Sequence, residues 1–462
     1  MVLAVLLGDR VFGEAAGPHL QAELRKPAGA DLPPPLGSGH AYAGGVDSGA
    51  GDGVPRLVVV TREVESLGEL LPYASGVAPL VFLRRGDGIV GVGSDAWTFA
   101  GPLSEASVAW RELSAAAEVD DAVQLPGSGL VGIGSFPFRP DGLDGVLTVP
   151  SMVIGRRNGR SWITHITASP NEDTSADDVA ARPLTLSAIT TVDPVGFEPG
   201  RMSPEAFEAA VATVVARIRA GEVGKVVLAR DVVARITKDA DLRHPLSRLA
   251  REYPDAVTFA VDGLLGASPE TLVRVQGGRV TARVLAGTAA RGANEMADDY
   301  VSLSLLGSRK DRDEHGLARA SVVSALRPHT SNLEASEPFA LELPNLWHLA
   351  TDLHGELGDG SNALDLVNAL HPTAAVGGTP TDRAVETIAE LEPFDRGRYA
   401  GPVGWIDGNG SGEWAIALRC ARVAGDTVTA YAGAGIVSDS VPAHELAETE
   451  LKLRPIVGAF GG

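Results

Sequence analysis

Asp311 and Glu314 stand three residues apart, and Glu445 and Glu448 repeat that spacing near the end of the chain. On a helix, residues at i and i+3 share a face, so each pair would present two carboxylates together. Two facing pairs would supply hard oxygen ligands, which suits Mg²⁺, a cation that keeps waters for its substrate. Lys452 lies four residues after Glu448 on the same face, and a plain Glu–Lys pair on a solvated helix explains that spacing equally well. Lys225 precedes an apolar run and Glu270 closes the turn Ser268-Pro269-Glu270. Either could work as base or acid in a perturbed environment, and either could be an ordinary solvated residue. Thr288 in LAGT, Arg419 in LRCA, and Gly433 and Gly435 in YAGAGI could bind carboxylates, through a guanidinium fork and exposed backbone amides. Glycines so spaced also make tight turns.

Other patterns fail on context. Gly127-Ser128-Gly129-Leu130-Val131-Gly132 matches GxGxxG, but Ile133–Phe138 is extended and proline-interrupted where a dinucleotide fingerprint needs a helix. Asp407–Gly412 imitates the first half of an EF-hand loop, yet its twelfth position is Leu418 instead of a bidentate glutamate. His348 and His354 lack the spacing of a zinc helix, and there is no P-loop and no GxSxG elbow.

The elements that would position these residues are readable in the second half. Ser203-Pro204-Glu205 opens a helix whose apolar face is Phe207, Ala210, Val211, Val214, Val215 and Ile218, with Gly221 as its stop. Lys225–Arg235 reads as a strand, and Thr271–Gln276 and Arg279–Val284 as a hairpin across Gly277-Gly278. Lys310–Arg327 reads as a helix, Trp347–Leu357 as a strand, and Gly401–Asp407 with Glu413–Arg422 as a second hairpin. Pro442–Lys452 should form the last helix, ended or kinked near Pro455. Residues 57–195 read as mostly sheet, and residues 1–56, rich in Pro and Gly from 26 onward, as a poorly structured extension or linker. Residues 196–462 would then form one composite catalytic region. Strands and helices do not alternate as βαβ units, so the expected class is α+β, with large mixed, mostly antiparallel sheets flanked by helices.

The 462 residues carry 39 Lys and Arg against 59 Asp and Glu, a net charge of 39 − 59 = −20. That balance argues against nucleic acid and against an anionic membrane surface as partners. The single cysteine, Cys420, excludes an intramolecular disulfide and fits a reduced compartment. The opening MVLAVLL is too short to span a bilayer and has no basic region before it. The expectation is a cytoplasmic protein, and nothing in the sequence demands more than a monomer.

Taken together, KVVLAR, GASPETL, RVLAGTAARG, KDRDEH, LHPTAAVGGTP, RGRYAGPVGW, GEWAIALRCA, YAGAGIV and ETELK, in that order over about residues 200–460, resemble the chorismate-utilising enzyme family. GIGSFPF at 132–138 extends the likeness into the first half. The resemblance implies the fold of anthranilate synthase component I. Lys225 stands where the water-using members carry their general base and the ammonia-using members do not, and Ala286 stands where the aminodeoxychorismate branch has a lysine. The LHPTxAVGGxP form is most like isochorismate synthase of the menaquinone or siderophore type. Salicylate synthase, which adds pyruvate elimination, shares Lys225. An anthranilate-type component or a non-catalytic chorismate-binding subunit is a more distant alternative. Val284 and Ala375 replace prolines common in the family, which bears on loop shape more than on chemistry.

Residue by residue, the resemblance implies that Lys225 deprotonates water for attack at C2 of chorismate and that Glu270 protonates the departing C4 hydroxyl. It makes Glu314 and Glu448 ligands of Mg²⁺, with Asp311 and Glu445 behind them. It places Thr288, His371, Tyr399, Arg419, Gly433, Gly435 and Lys452 around the substrate. The implied activity is a Mg²⁺-dependent isomerase that turns chorismate into isochorismate.

Overall fold

The computed structural model describes residues 54–461 apart from Pro140, Leu143, 169–183, Ala293 and 343–345, so the expected extension 1–56 lies outside the described residues except at Val54, Pro55 and Arg56. In the first half, β1 (Leu57–Val64), β2 (Leu80–Arg84) and β3 (Asp87–Ala100) precede α1 (Leu103–Ala116), and β4 (Glu118–Asp121), β5 (Val131–Ser135), β6 (Val146–Arg157) and β7 (Arg160–Ala168) follow it. Next come β8 (Glu198–Pro199), α2 (Pro204–Arg219), β9 (Lys225–Arg235), α3 (Arg243–Glu252), β10 (Val257–Val261), β11 (Leu264–Ser268), β12 (Thr271–Gln276) and β13 (Arg279–Ala290). The middle holds α4 (Glu295–Gly307), α5 (Arg309–Leu326), β14 (Thr330–Ala335), β15 (Phe339–Glu342), β16 (Leu346–Leu357) and α6 (Ala363–Leu370). The chain then forms β17 (Gly378–Thr379), α7 (Thr381–Leu391), β18 (Pro402–Asp407), β19 (Gly412–Ile416), β20 (Cys420–Ala424), β21 (Thr427–Ile436) and α8 (Pro442–Ala459). The architecture is α+β, as the sequence predicts. Among the described residues no helix is long and apolar enough to cross a membrane.

Local chemistry accounts for many of these boundaries. Ser203 caps α2 by accepting from the Ala206 N–H at 3.2 Å, and Phe207, Ala210, Val211, Val214 and Val215 are buried on its inner face. Gly277 and Gly278, at φ 56° and 79°, supply the two left-handed positions that a tight hairpin between β12 and β13 requires. In α6, Asn362 and Asp365 form a reciprocal capping box.

Every described strand joins one hydrogen-bonded network, in which β1–β4 is parallel and the other ladders are antiparallel. The boundary drawn at 195/196 runs through this network, because β2 pairs with β10 and β5 with β18. Two expectations gain detail and a third needs correction. Residues 57–195 also contain α1, whose Leu103, Ala106, Trp110 and Leu113 are buried at helical spacing. The last helix continues through Pro455 to Ala459, since burial of Leu453, Ile456 and Ala459 offsets a proline cost of about 3 kcal/mol. The run Glu413–Arg422 is not one strand: β19 ends at Ile416 and β20 starts at Cys420, with Arg419 in the break at φ 49°.

Candidate active site

Lys225 opens β9, whose next residues pair with the end of β21 (Val226 with Ile436, Val227 with Gly435, Ala229 with Gly433). Gly433 and Gly435 therefore lie within strand β21, not in a turn or nest. Their role is close approach. A Cβ on Gly435 would lie 3.1 Å from Lys225 Cε and 3.7 Å from Nζ, and one on Gly433 would lie 3.3 Å from the Tyr399 hydroxyl and 2.8 Å from the Leu228 carbonyl. The missing side chains leave the floor on which Lys225 and Tyr399 rest. We expect Gly435→Ala to keep the fold, because only the flexible end of Lys225 must yield, and to lower kcat about tenfold by moving its amine. Steady-state kinetics beside a thermal melt checks this.

Glu270 and Arg419 reach the same place from two clamped breaks. Ser268 donates its hydroxyl to the Ile416 carbonyl at 2.5 Å and accepts from the Glu270 N–H, while the Ile416 N–H donates to the Glu270 carbonyl at 3.1 Å. The Ala267 N–H donates to the Arg419 carbonyl at 3.2 Å. A non-glycine residue at positive φ is strained, and such strain persists only where neighbours over-determine it. Here it turns a buried guanidinium into the site. Ala417, in the same break, accepts from the N–H of Ala400, itself at φ 61°, and Ala400 directly follows Tyr399. Tyr399 is buried and stacks on Tyr431 at 5.0 Å between ring centres. Burial holds its phenol well above the usual range, so it remains a hydrogen-bond donor.

Charge–charge interactions couple these groups to one another. Burial raises the Glu270 carboxyl above its ordinary pKa, opposed by Arg419, Lys225 and Lys452. Burial likewise lowers Arg419 and Lys452, and Glu448 pulls both back up. The Lys452 ammonium donates to Glu448 at 2.6 Å and to the Gly433 carbonyl at 2.9 Å. The Glu448–Lys452 pair is thus real, but its lysine is directed into the site. Arg419 and Lys452 beside the Glu270 carboxyl make a receptor for a carboxylate.

Asp311 lies on α5 and Glu445 on α8. Ser308 caps α5 by accepting from the Asp311 N–H, and the Asp311 Cβ lies 3.1 Å from where a side chain on Gly287 would begin. Gly287, at φ 81°, makes a bulge in β13 between Ala286 and Thr288. Its carbonyl faces His348 Nδ1 at 3.2 Å, and His348 stands opposite Thr288 in the β13–β16 ladder. Burial lowers the His348 pKa, Lys452 and Arg419 lower it further, and Glu448 raises it. His348 therefore links the Asp311 bulge to the Lys452 and Glu448 end of α8. Sequence reading considered it only as a failed zinc ligand; its place opposite Thr288 depends on a ladder that local sequence does not encode. Glu314 lies on α5 and Thr288 on β13, with side chains outside the described residues.

On α8, burial raises the Glu445 carboxyl and the Glu448 charge raises it further, a repulsion that a divalent cation would relieve. The donor chemistry fits a hard cation, all of it carboxylate oxygen. Among the described residues, no group of three His, Cys, Asp or Glu side chains is arranged to hold a metal. His371 stands apart from the charged cluster in its bonding. It is buried, its Nε2–H donates to the Phe138 carbonyl at 2.9 Å, and burial holds its pKa at about 4, so it is a neutral strut at the end of α6.

The sequence profile of the chorismate binding enzymes matches residues 62–461. Isochorismate synthase DhbC of Bacillus subtilis is 41% identical over 271 residues, covering 56% of this chain and 68% of the relative. Isochorismate synthase EntC of Escherichia coli K12 is 43% identical over 263 residues, covering 55% and 67%. The structure of MenF, the menaquinone-specific isochorismate synthase of Escherichia coli, superposes with a TM-score of 0.72 at 24% identity, covering 88% of this chain and 95% of that one, a likeness of fold.

Proposed function

The chain belongs to the chorismate-binding enzymes, and from that premise we propose that it is an isochorismate synthase, moving the hydroxyl of chorismate from C4 to C2. The observation that carries the reading is the meeting of Lys225 and Glu270 among Arg419, Lys452 and Tyr399. Chorismate is a dianion, and Arg419, Lys452 and the Tyr399 hydroxyl are the groups that would receive its carboxylates. Water is a poor nucleophile and hydroxide a poor leaving group, so the reaction needs a base and an acid, each contributing about 10²–10⁴-fold. Lys225 accepts a proton from water as its oxygen bonds to C2. The ring double bonds shift, the C4–O bond breaks, and Glu270 gives its proton to the departing hydroxyl. One water enters and one leaves, so the net change is an isomerisation.

Glu314 and Glu448 would hold Mg²⁺, with Asp311 and Glu445 behind them. When bound, the cation supplies positive charge that neutralises a substrate carboxylate. The repulsion between Glu445 and Glu448 supports that assignment.

The test is incubation of the full chain with chorismate and Mg²⁺, with products separated by chromatography. Isochorismate alone is the expected product, lost on chelation with EDTA and regained on adding Mg²⁺. Stoichiometric pyruvate with salicylate would replace this reading with salicylate synthase. Anthranilate formed only with ammonia would remove Lys225 as the base, and full activity in EDTA would remove the metal.

A further inference from the structure

The strand that carries Lys225 has a gap along one edge. The β21 edge of β9 is paired continuously from Val226 to Arg235. On the opposite edge, β17 covers only Lys225 and Val226, and β8 covers only Val232 and Val233. The Val227 N–H still finds the Gly377 carbonyl, and the Asp231 carbonyl accepts from Gly200. Between them the Val227 carbonyl and the Ala229 N–H point at a place where no strand runs.

A buried ion pair stands in that place. Glu392 follows the end of α7 and Arg396 lies four residues on, and their side chains are 1% and 2% exposed. Glu392 accepts from the Ala229 N–H at 2.8 Å, and Arg396 Nη2 donates to the Val227 carbonyl at 2.7 Å and to Glu392 at 2.6 Å. Arg396 Nη1 donates to the Val376 carbonyl at 3.0 Å, one residue before the Gly377 that bonds β9. Its guanidinium lies 4.3 Å above the centre of the Phe138 ring, and its carbonyl accepts from the Tyr399 N–H at 3.0 Å. Two side chains thus replace a length of strand and join β9, the Val376 loop, Phe138 and Tyr399.

Stability alone is a poor reason for such a pair, because apolar replacements of buried ion pairs are commonly neutral or stabilising. An apolar pair could not, however, terminate the Val227 carbonyl, the Ala229 N–H and the Val376 carbonyl. We propose that Glu392 and Arg396 are positioning residues for Lys225, acting as a two-residue splint that fixes the start of β9 against Tyr399. Neither touches the reacting atoms. The inference rests on the reading of Lys225 as the base.

The double variant Glu392→Gln/Arg396→Gln tests it. It removes both buried charges and retains an acceptor for Ala229, but it is too short to reach Val227 and Val376 together. The expected result is a cooperative melt at a lower temperature than wild type, because a buried carbonyl loses its donor, with chorismate KM little changed and kcat per folded molecule down by about 10²-fold, the cost of a misplacement near 1 Å. A kcat per folded molecule within about threefold of wild type overturns the proposal. Should the double variant fail to melt cooperatively, Arg396→Lys is judged by the same measurement: it keeps the charge but not the fork, so a loss of about tenfold supports the splint and wild-type kcat overturns it. The product that wild type forms from chorismate is scored first. Absence of isochorismate there refutes the functional reading, whereas the variant-to-wild-type ratio for whatever product forms judges the splint.

Discussion

Glu270→Gln will bind chorismate almost as well as wild type and turn it over about 10³-fold more slowly, the loss expected when a positioned general acid is removed. Glutamine keeps the shape of the side chain and cannot deliver a proton to the leaving hydroxyl. The effect belongs in kcat, with KM nearly constant, which steady-state kinetics will show. Wild-type activity should fall on the alkaline side as Glu270 ionises, at a pH above that of an ordinary carboxyl because burial raises its pKa. That limb should disappear in the residual activity of the variant.

The same group ties activity to stability, and the sign can be worked out. A carboxyl whose pKa is raised on folding binds its proton more tightly in the native chain. Its contribution to stability is full below the ordinary carboxyl pKa and is lost as pH rises through the folded value. Above the unfolded value wild type loses this contribution as pH rises, since burial opposes ionisation of the carboxyl, and glutamine has no charge to bury. Glu270→Gln should therefore melt at or above wild type at pH 8 while being nearly inactive, and lose that advantage in acid. A lower melting temperature at pH 8 would mean that Arg419, Lys225 and Lys452 outweigh burial at this position.

Lys225→Met is the second large effect. Methionine nearly matches the length of lysine and fits over Gly435, but its thioether sulfur is far too weakly basic to take a proton from water. Turnover should fall by about 10³-fold with chorismate binding retained, since the carboxylates are received elsewhere. Chorismate titration monitored by protein fluorescence separates binding from catalysis. Retained turnover in Lys225→Met would transfer the base to another group and remove the premise of the splint with it.

The contrast between what was legible in the sequence and what was not follows the range of the forces involved. Ser203-Pro204 and Gly277-Gly278 specify their cap and hairpin locally, through a side-chain acceptor and two left-handed positions, and both stand where expected. The order of motifs sufficed to assemble the family's site on paper. What escaped were positions made by contacts between distant segments. Gly433 and Gly435 read as turn or nest glycines, yet they lie in a ten-residue strand because β9 pairs along all of it. Arg419 looked like part of a strand; its positive φ is imposed by Ala267, Ala400 and Gly401, which bond the residues around it. His348 had no local signal, and Glu392 and Arg396 would pass for a surface i,i+4 pair on any helix.

One consequence concerns synthesis. The ladder that seats β5 against β18 joins residues 131–135 to residues 403–407, and β2 waits for β10 in the same way. As the chain leaves the ribosome, β5 shows an open edge until residues 403–407 have been made. Such late, long-range closure makes folding slow and leaves a nascent intermediate open to pairing with its neighbours. Neither half cut at residue 195 would complete its own sheet. Slow translation and low temperature should favour recovery of the intact protein, and separately produced halves should aggregate unless they meet.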